Sequence, residues 1–149
     1  MSVSIRHTVS PTMTEEEQKL LCSIGSVRRY PVCRFELRSS KDSELCSVAL
    51  DAVHLQDAGE QIEPVKERAT LLKSLEQKGL IVLYYGLTTY VKSDYQIFHD
   101  SAVFHQLQEL AAEGGKREDY LFDRAFLKKG QAVLTVKGRY ALQRMAEKE

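Results

Sequence analysis

The sequence predicts a single α+β domain, and three features carry that prediction. Its 149 residues suffice for one hydrophobic core, and 43% hydrophobic and 28% charged residues are typical of globular proteins. Residues 64–78 have the apolar spacing of an amphipathic helix, which Gly79 ends directly before the strand formers LIVLYY at 80–85. Residues 132–142, AVLTVKGRYAL, run from a short strand through Thr135 into a further helix.

Composition and cysteine usage narrow the class of protein. No apolar run approaches the roughly 20 residues of a membrane-spanning helix, and MSVSIRHTVSPTM lacks the apolar core and cleavage site of a secretory signal. We therefore expect a cytoplasmic protein with no membrane partner. Cys22, Cys33 and Cys46 fit reduced thiols better than a disulfide framework. A metal site combining them with His54 would lack any CxxC or HxxxH pair, so we expect no metal.

The N-terminal part of the chain shows local helix and strand signals. Residues 1–13 lack periodicity, so we expect a flexible N-terminus before a single domain of residues 14–149. The capping-box pattern TEEE at 14–17 predicts a helix over 15–24. Alternating apolar and charged residues over 33–38 then predict a half-buried strand.

Residues 43–55 and the helix after them differ in how clearly they can be interpreted. The apolar spacing of SELCSVALDAVHL at 43–55 favours a helix, although its apolar density also suits a strand paired with 32–38. Pro64 is placed at the first position of the helix 64–78, where a missing N–H has no cost. The polar side of that helix carries Lys66, Thr70, Lys73, Ser74 and Gln77.

The C-terminal half predicts a further helix and two hairpins. Tyr90–Lys92 is expected to return antiparallel to the strand 80–85, and a second capping box at 93–96 opens a helix to about 112. The segment YLFDRAFLKKGQAVLT at 120–135 predicts two strands around a turn at Lys128–Gln131. We expect cross-strand packing, rather than a ligand platform, to explain the tyrosine cluster of Tyr84, Tyr85, Tyr90 and Tyr95.

The net charge is zero, but the charges are unevenly distributed. Residues 124–149 carry seven basic and two acidic side chains, whereas residues 99–123 carry two basic and six acidic ones. Clustered Lys and Arg side chains are what phosphate contact requires. A polyanion should therefore bind near the C-terminus and the helix 64–78, while the acidic segment faces solvent or a protein partner.

Sequence motifs for catalysis are absent from the chain. There is no GxSxG, GxxxxGK[ST], GxGxxG or HExxH pattern. His99 and His105 are six residues apart on the predicted helix and so point in different directions, which favours surface histidines over a metal or acid–base site with Asp100 and Glu109. We expect no enzyme activity, no catalytic residue and no cofactor.

The phrases LEQKGLI and LTVKGRYAL resemble the winged-helix DNA-binding domains of MarR- and PadR-like bacterial transcription regulators. In those families the first phrase ends the recognition helix and opens the wing, and the second leads from the wing into the next helix. The resemblance implies a winged helix-turn-helix fold, double-stranded DNA as the partner, and a homodimer. It places helix 64–78 in the major groove and a basic hairpin on the DNA backbone. The implied DNA-binding residues are Lys66, Arg68, Thr70, Lys73, Ser74, Gln77, Lys128 and Lys129.

The sequence differs from those families in one segment, and it is also compatible with two other functions. The 46 residues 86–131 exceed what a wing needs, so we infer an inserted helix over about 94–112 that packs on the domain or forms a dimer seam. The alternative function is a winged-helix protein–protein interaction module that docks through this acidic helix without nucleic acid. A third possible function is that of a small-ligand sensor whose pocket contains the clustered tyrosines. Without a nucleic-acid partner, Lys66 and Lys73 are simply the solvated side of an amphipathic helix.

Overall fold

The chain folds into a four-stranded antiparallel sheet with helices on both faces. The computed structural model describes residues 12–147, so most of the predicted N-terminal segment 1–13 lies outside the described residues. The helices are α1 (Glu15–Gly25), α2 (Ile62–Gln77), α3 (Gln96–His99), α4 (Ala102–Gly115) and α5 (Val136–Glu147), with a 3-10 turn at Lys92–Tyr95. The strands are β1 (Pro31–Arg38), β2 (Cys46–Val53), β3 (Ile81–Tyr85) and β4 (Arg124–Leu134), in the order β2-β1-β4-β3. The predicted α+β class is confirmed.

Two hydrophobic clusters lie on opposite faces of the sheet. Successive residues of a strand point to opposite faces, so β1 contributes Val32 to one cluster and Phe35 to the other. The first cluster packs the sheet against α1, α2 and α5. The second packs it against α3 and α4, where Phe35 meets Phe104 with ring centroids 5.3 Å apart.

Three local predictions are confirmed at the helix ends. Thr14 and Glu17 form the reciprocal capping box of α1, with Thr14 N–H donating to Glu17 Oε1 at 2.8 Å. Gly79 follows α2 with φ of +75°, the left-handed conformation that a glycine adopts without steric cost. Thr135 caps α5 by accepting the Gly138 N–H at 3.0 Å.

The two phrases that carry the family resemblance meet in space. Thr135 Oγ1 donates to the Gly79 carbonyl at 2.6 Å, and the Thr135 N–H donates to the Leu80 carbonyl at 3.1 Å. Gly138 lies directly against the same region, because a Cβ there would come within 2.1 Å of Leu80 O. Helix α5 therefore begins on the turn that joins α2 to β3.

The helix favoured for residues 43–55 is wrong, because Cys46–Val53 forms the edge strand β2. A helix there would have to bury its whole apolar stripe. The strand instead pairs with β1 and buries only Ala52 and Val53 at its carboxyl end. A strand, and not a helix, therefore precedes α2. Helix α2 starts at Ile62, two residues earlier than predicted, and Pro64 is its third residue.

The predicted turn at Lys128–Gln131 is also wrong. Strand β4 runs without interruption from Arg124 to Leu134 and pairs with both β1 and β3. Earlier in the chain, the expected strand at Tyr90–Lys92 is absent, because Tyr90 and Val91 are irregular and the 3-10 turn begins at Lys92. The single helix predicted over about 94–112 is divided into α3 and α4, because Ser101 caps α4 by accepting the Phe104 N–H at 3.1 Å.

Tyr90 and Tyr95 of the tyrosine cluster pack against each other, but this contact is not the expected cross-strand packing, because neither residue lies in a strand. Tyr90 and Tyr95 meet edge to face with centroids 5.5 Å apart. Tyr95 is buried, and its hydroxyl donates to the Gly130 carbonyl at 2.7 Å. Burial raises the pKa of Tyr95 to about 12, so this hydroxyl remains a hydrogen-bond donor at neutral pH.

His54 is held in its neutral form between β1 and α2. Its ring stacks on Tyr30 with centroids 3.8 Å apart, and Nδ1 donates to the Pro31 carbonyl at 2.7 Å. Burial lowers the pKa of His54 to about 4, and the nearby charges of Arg68 and Glu60 act in opposite directions. The unfolded chain therefore takes up the proton more readily than the folded one as the pH falls below about 6.5.

We expect the free energy of unfolding to fall by about 2 kcal/mol between pH 6.5 and pH 4 through His54, with allowance for its partial exposure. His54→Phe retains an aromatic ring against Tyr30 but removes the titrating group, so it should lose less stability over this range. Urea denaturation of both proteins at the two pH values measures the difference. Equal acid losses would show that His54 is not the titrating group.

Candidate nucleic-acid interface

The outer face of α2 brings together five of the predicted DNA-binding residues. These residues line one open groove with a volume of about 470 Å³, together with Leu50 and Ala69. The five are Lys66, Thr70, Lys73, Ser74 and Gln77. The helical spacing of residues 64–78 thus predicted their shared face correctly.

Within this groove the polar side chains differ in how far they are already engaged. Lys73 Nζ lies 3.4 Å from Asp51 Oδ2 and 3.3 Å from Glu76 Oε1. Burial lowers the pKa of Lys73, but the two carboxylates outweigh that effect and raise it. Ser74 donates its hydroxyl to the Glu17 carboxylate. By contrast, Lys66 is exposed and makes no ion pair within residues 12–147.

Arg68 is directed away from the groove and binds the loop that precedes α2. Its Nη1 donates to the His54 carbonyl at 2.5 Å, and its Nη2 pairs with Glu60 Oε1 at 2.6 Å. The side chain is 14% exposed. Its guanidinium is therefore occupied by the loop before α2, and Arg68 does not share the face of the other five predicted residues.

Lys128 and Lys129 lie on opposite faces of the sheet, because both belong to the continuous strand β4. Lys128 is the cross-strand partner of Arg34, on the face of α2, and Lys129 is the partner of the buried Cys33. The Lys129 ammonium lies 5.1 Å from the ring centroid of Tyr90. No basic hairpin exists in this region, and only Lys128 faces the α2 side.

An open sheet face extends beyond the part of the sheet that α1, α2 and α5 cover. By strand register it consists of Arg34, Glu36, Arg38, Arg124, Phe126 and Lys128. The Arg38 guanidinium stacks 3.5 Å from the centroid of the Phe126 ring, which is 38% exposed. Arg34 lies in the same way 4.2 Å from the Tyr85 ring centroid.

Asp51 joins the α2 groove to the open sheet face. Its carboxylate accepts hydrogen bonds from Arg34 Nε at 3.2 Å, Lys73 Nζ at 3.4 Å and the Tyr85 hydroxyl at 3.1 Å. Burial raises the pKa of Asp51, but Arg34 and Lys73 outweigh it and keep the pKa below its usual value. The next residue, Ala52, has φ of 53°, and its N–H also donates to Asp51 at 2.8 Å. The register of β2 against β1 shifts between Leu50 and Val53, so Asp51 and Ala52 form a bulge that fixes the carboxylate beside β1, α2 and β3.

The combined surface is suited to phosphate contact. Its cations are Lys66, Lys73, Arg34, Arg38, Arg124 and Lys128, and its acids are Glu36, Asp51 and Glu76. Arg34 Nε donates to Asp51, and Arg38 Nε and Nη2 donate to the buried Glu36, so the remaining N–H groups of these two ring-stacked guanidinium groups are the ones open to phosphate. Comparison with models of protein families, with curated proteins and with solved structures finds no match for this chain.

Sequence reasoning missed Arg34, Arg38, Arg124 and Phe126 as parts of this surface. The available signal was period-two alternation, with R-x-E-x-R at 34–38 and R-x-F-x-K at 124–128. Strand pairing between distant segments was needed to place the two patterns side by side.

The described part of the chain contains neither a metal-binding group of side chains nor a membrane-spanning helix. Among residues 12–147, no three His, Cys, Asp or Glu side chains are grouped so that they could hold a metal ion. In the same range, every helix is too short or too polar to cross a bilayer.

Proposed function

We propose that this chain binds double-stranded DNA, without catalysing a reaction, through the α2 groove and the open sheet face together. The observation that carries the proposal is that Lys73 and Lys128 face the same side of the sheet, linked through Asp51 and Arg34. Cations gathered on one side can contact several phosphates at once and release their counterions. The proposed role is that of a regulator of transcription.

The winged-helix assignment remains part of this proposal and has specific support. The hydrogen bonds from Thr135 to Gly79 and Leu80 connect the two phrases that resemble such regulators. The architecture departs from that family in having β2 directly before α2. For this reason we attribute DNA contact to the combined surface rather than to a helix-turn-helix pair with a wing.

Different residues of the surface should contribute differently to DNA binding. Lys66 and Gln77 are exposed, so both can meet DNA without breaking an internal contact. Lys73 must share its charge with Asp51 and Glu76, which reduces its net attraction for phosphate. Lys66 and Lys128 are accordingly the cations whose removal should matter most.

We expect Lys66→Ala combined with Lys128→Ala to weaken binding to a random-sequence duplex about tenfold or more at low salt. The double variant should also reduce the slope of log affinity against log salt by about two, one for each lost phosphate contact. Fluorescence anisotropy of a labelled duplex, from about 50 mM to about 200 mM salt, measures both quantities.

The matched control is Lys92→Ala combined with Lys116→Ala, which removes the same charge from exposed positions outside the proposed surface. Equal losses in the two double variants would overturn the assignment of the surface. Binding that does not respond to salt would overturn phosphate contact itself. In either case, a protein–protein interaction module is the remaining candidate, favoured by the apolar groove of about 350 Å³ that Leu107 and Leu110 of α4 line together with Leu50 and Ile62.

A further inference from the structure

Half of the outer edge of β2 is open. Within residues 12–147, β2 pairs with β1 on one side and has no strand on the other. Helix α2 lies against the carboxyl end of β2, where Lys73 meets Asp51, whereas residues 46–49 are exposed. The segment LCSVAL at 45–50 contains no charged residue. Such an uncharged edge with unpaired backbone groups is a template for another strand.

The two ends of this edge carry opposite charges. Asp42 and Glu44 are exposed immediately before β2, while the neighbouring Lys41 donates to the Glu118 carbonyl at 3.2 Å. At the other end, Lys66 lies on two grooves that meet at Leu50. In the described part of the chain, the residues that line the two grooves include no carboxylate, and the nearby Asp51 is paired with Lys73, which leaves Lys66 as the cation without an ion pair at this end of the edge. An acidic start and a basic end are what an antiparallel pair of identical strands needs.

We propose that β2 pairs antiparallel with β2 of a second copy of this chain, which forms a twofold-symmetric homodimer with one continuous sheet. A pairing centred on Val48 places Glu44 of one copy beside the irregular carboxyl end of β2 of the other, where the register against β1 shifts between Val48 and Leu50 and again between Leu50 and Val53. Because α2 covers that end of the edge, Glu44 is directed towards the groove that contains Lys66. The symmetry makes this contact twice, and no acidic or basic side chain lies on the paired segment itself.

An apolar groove beside the edge strengthens the choice of a second copy. It has a volume of about 350 Å³, and Leu50, Ile62, Leu107 and Leu110 are among the residues that line it. Strand side chains of the second copy on that face would cover these apolar groups and exclude water from them. The proposed dimer interface is therefore centred on β2, and α4 contributes only the residues that line this groove.

The first test is Val48→Lys, followed by sedimentation equilibrium over a range of protein concentrations without DNA. Two lysines directly opposite each other near the twofold axis should raise the dimer dissociation constant about tenfold or more. Val27→Lys is the matched control, because Val27 and Val48 are both 49% exposed. The control should dimerise like the unmodified chain.

The second test reverses the proposed charge pair. Glu44→Lys alone and Lys66→Glu alone should each weaken the dimer about two- to fivefold, as expected for a solvent-exposed ion pair. The two substitutions together should restore it. Damage to the fold cannot produce that restoration, so the result would identify a contact between copies.

Three outcomes would overturn the proposal. The first is a chain that stays monomeric at every concentration, even if its β2 edge binds another partner. The second is a dimer that Val48→Lys leaves intact. The third is a double charge reversal that does not restore dimerisation. The inference does not rest on DNA binding, because Lys128→Ala should leave the dimer unchanged even where it weakens DNA binding.

Discussion

Gly130→Ala is expected to destabilise the fold by about 3 kcal/mol or more, the largest effect of any substitution considered. A Cβ at this position would lie 2.1 Å from the Tyr84 carbonyl oxygen and 2.7 Å from Tyr85 Cδ1. Backbone movement cannot relieve the clash, since Gly130 pairs with Val32 on one side and Tyr85 on the other. The hydrogen bond from Tyr95 to its carbonyl restrains the strand further.

Urea denaturation followed by circular dichroism measures this loss as a lower midpoint with an unchanged dependence on denaturant. Gly59→Ala is the matched control, because the nearest atoms to its added Cβ are the Asp57 carboxylate oxygens at 3.9 Å. We expect the control to stay within about 0.5 kcal/mol of the unmodified protein. Similar midpoints for the two variants would show that β4 can shift to admit a side chain.

Glu17→Gln is expected to destabilise the fold by about 3 kcal/mol at pH 7, because it removes a nearly buried charge from its partner. The Glu17 carboxylate is 3% exposed and accepts from Lys78 Nζ at 2.8 and 2.9 Å. It also accepts from Ser74 of α2 and from the Thr14 N–H. Glutamine keeps the shape of the side chain but leaves the Lys78 ammonium without a carboxylate.

The same residue predicts a specific pH dependence. Hydrogen bonds from Lys78 and then from Ser74 lower the pKa of Glu17 to about 2. Because this is below the ordinary value near 4.5, its contribution to stability is complete above pH 4.5 and is lost as the pH falls towards 2.

The difference in unfolding free energy between the unmodified protein and Glu17→Gln should therefore shrink towards pH 2. Urea titrations at pH 7, 4.5 and 2.5 measure it. Glu16→Gln changes an exposed neighbour and should show little difference at any pH. A gap of constant size across these titrations would contradict the assigned cause.

Features of the fold that depend on a few neighbouring residues could be predicted from the sequence. The capping box at Thr14, the left-handed Gly79 and the cap at Thr135 each require a hydrogen bond or conformation within one turn. The role of Gly130 could not be predicted from neighbouring residues. Beside two lysines it resembles a turn residue, but its role is to make room for the ring of Tyr85 on a neighbouring strand.

In the candidate site, too, local features could be predicted and long-range contacts could not. Helical spacing correctly placed Lys66, Thr70, Lys73, Ser74 and Gln77 on one face. Their freedom to bind depends on partners that are distant in sequence, such as Asp51 for Lys73 and Glu60 for Arg68. The open sheet face depends wholly on the register between β1 and β4, which no local pattern contains.

The position of β4 also determines when the domain can form during translation. It is the last of the four strands in residues 12–147, yet it lies between β1 and β3. While the nascent protein emerges, β1 and β2 can pair as a hairpin, but β3 has no strand beside it until residues 124–134 have left the ribosome. Pairing across such long separations in sequence also slows folding. The newly made chain therefore completes its sheet only after β4 has emerged, and β3 has no strand partner until then.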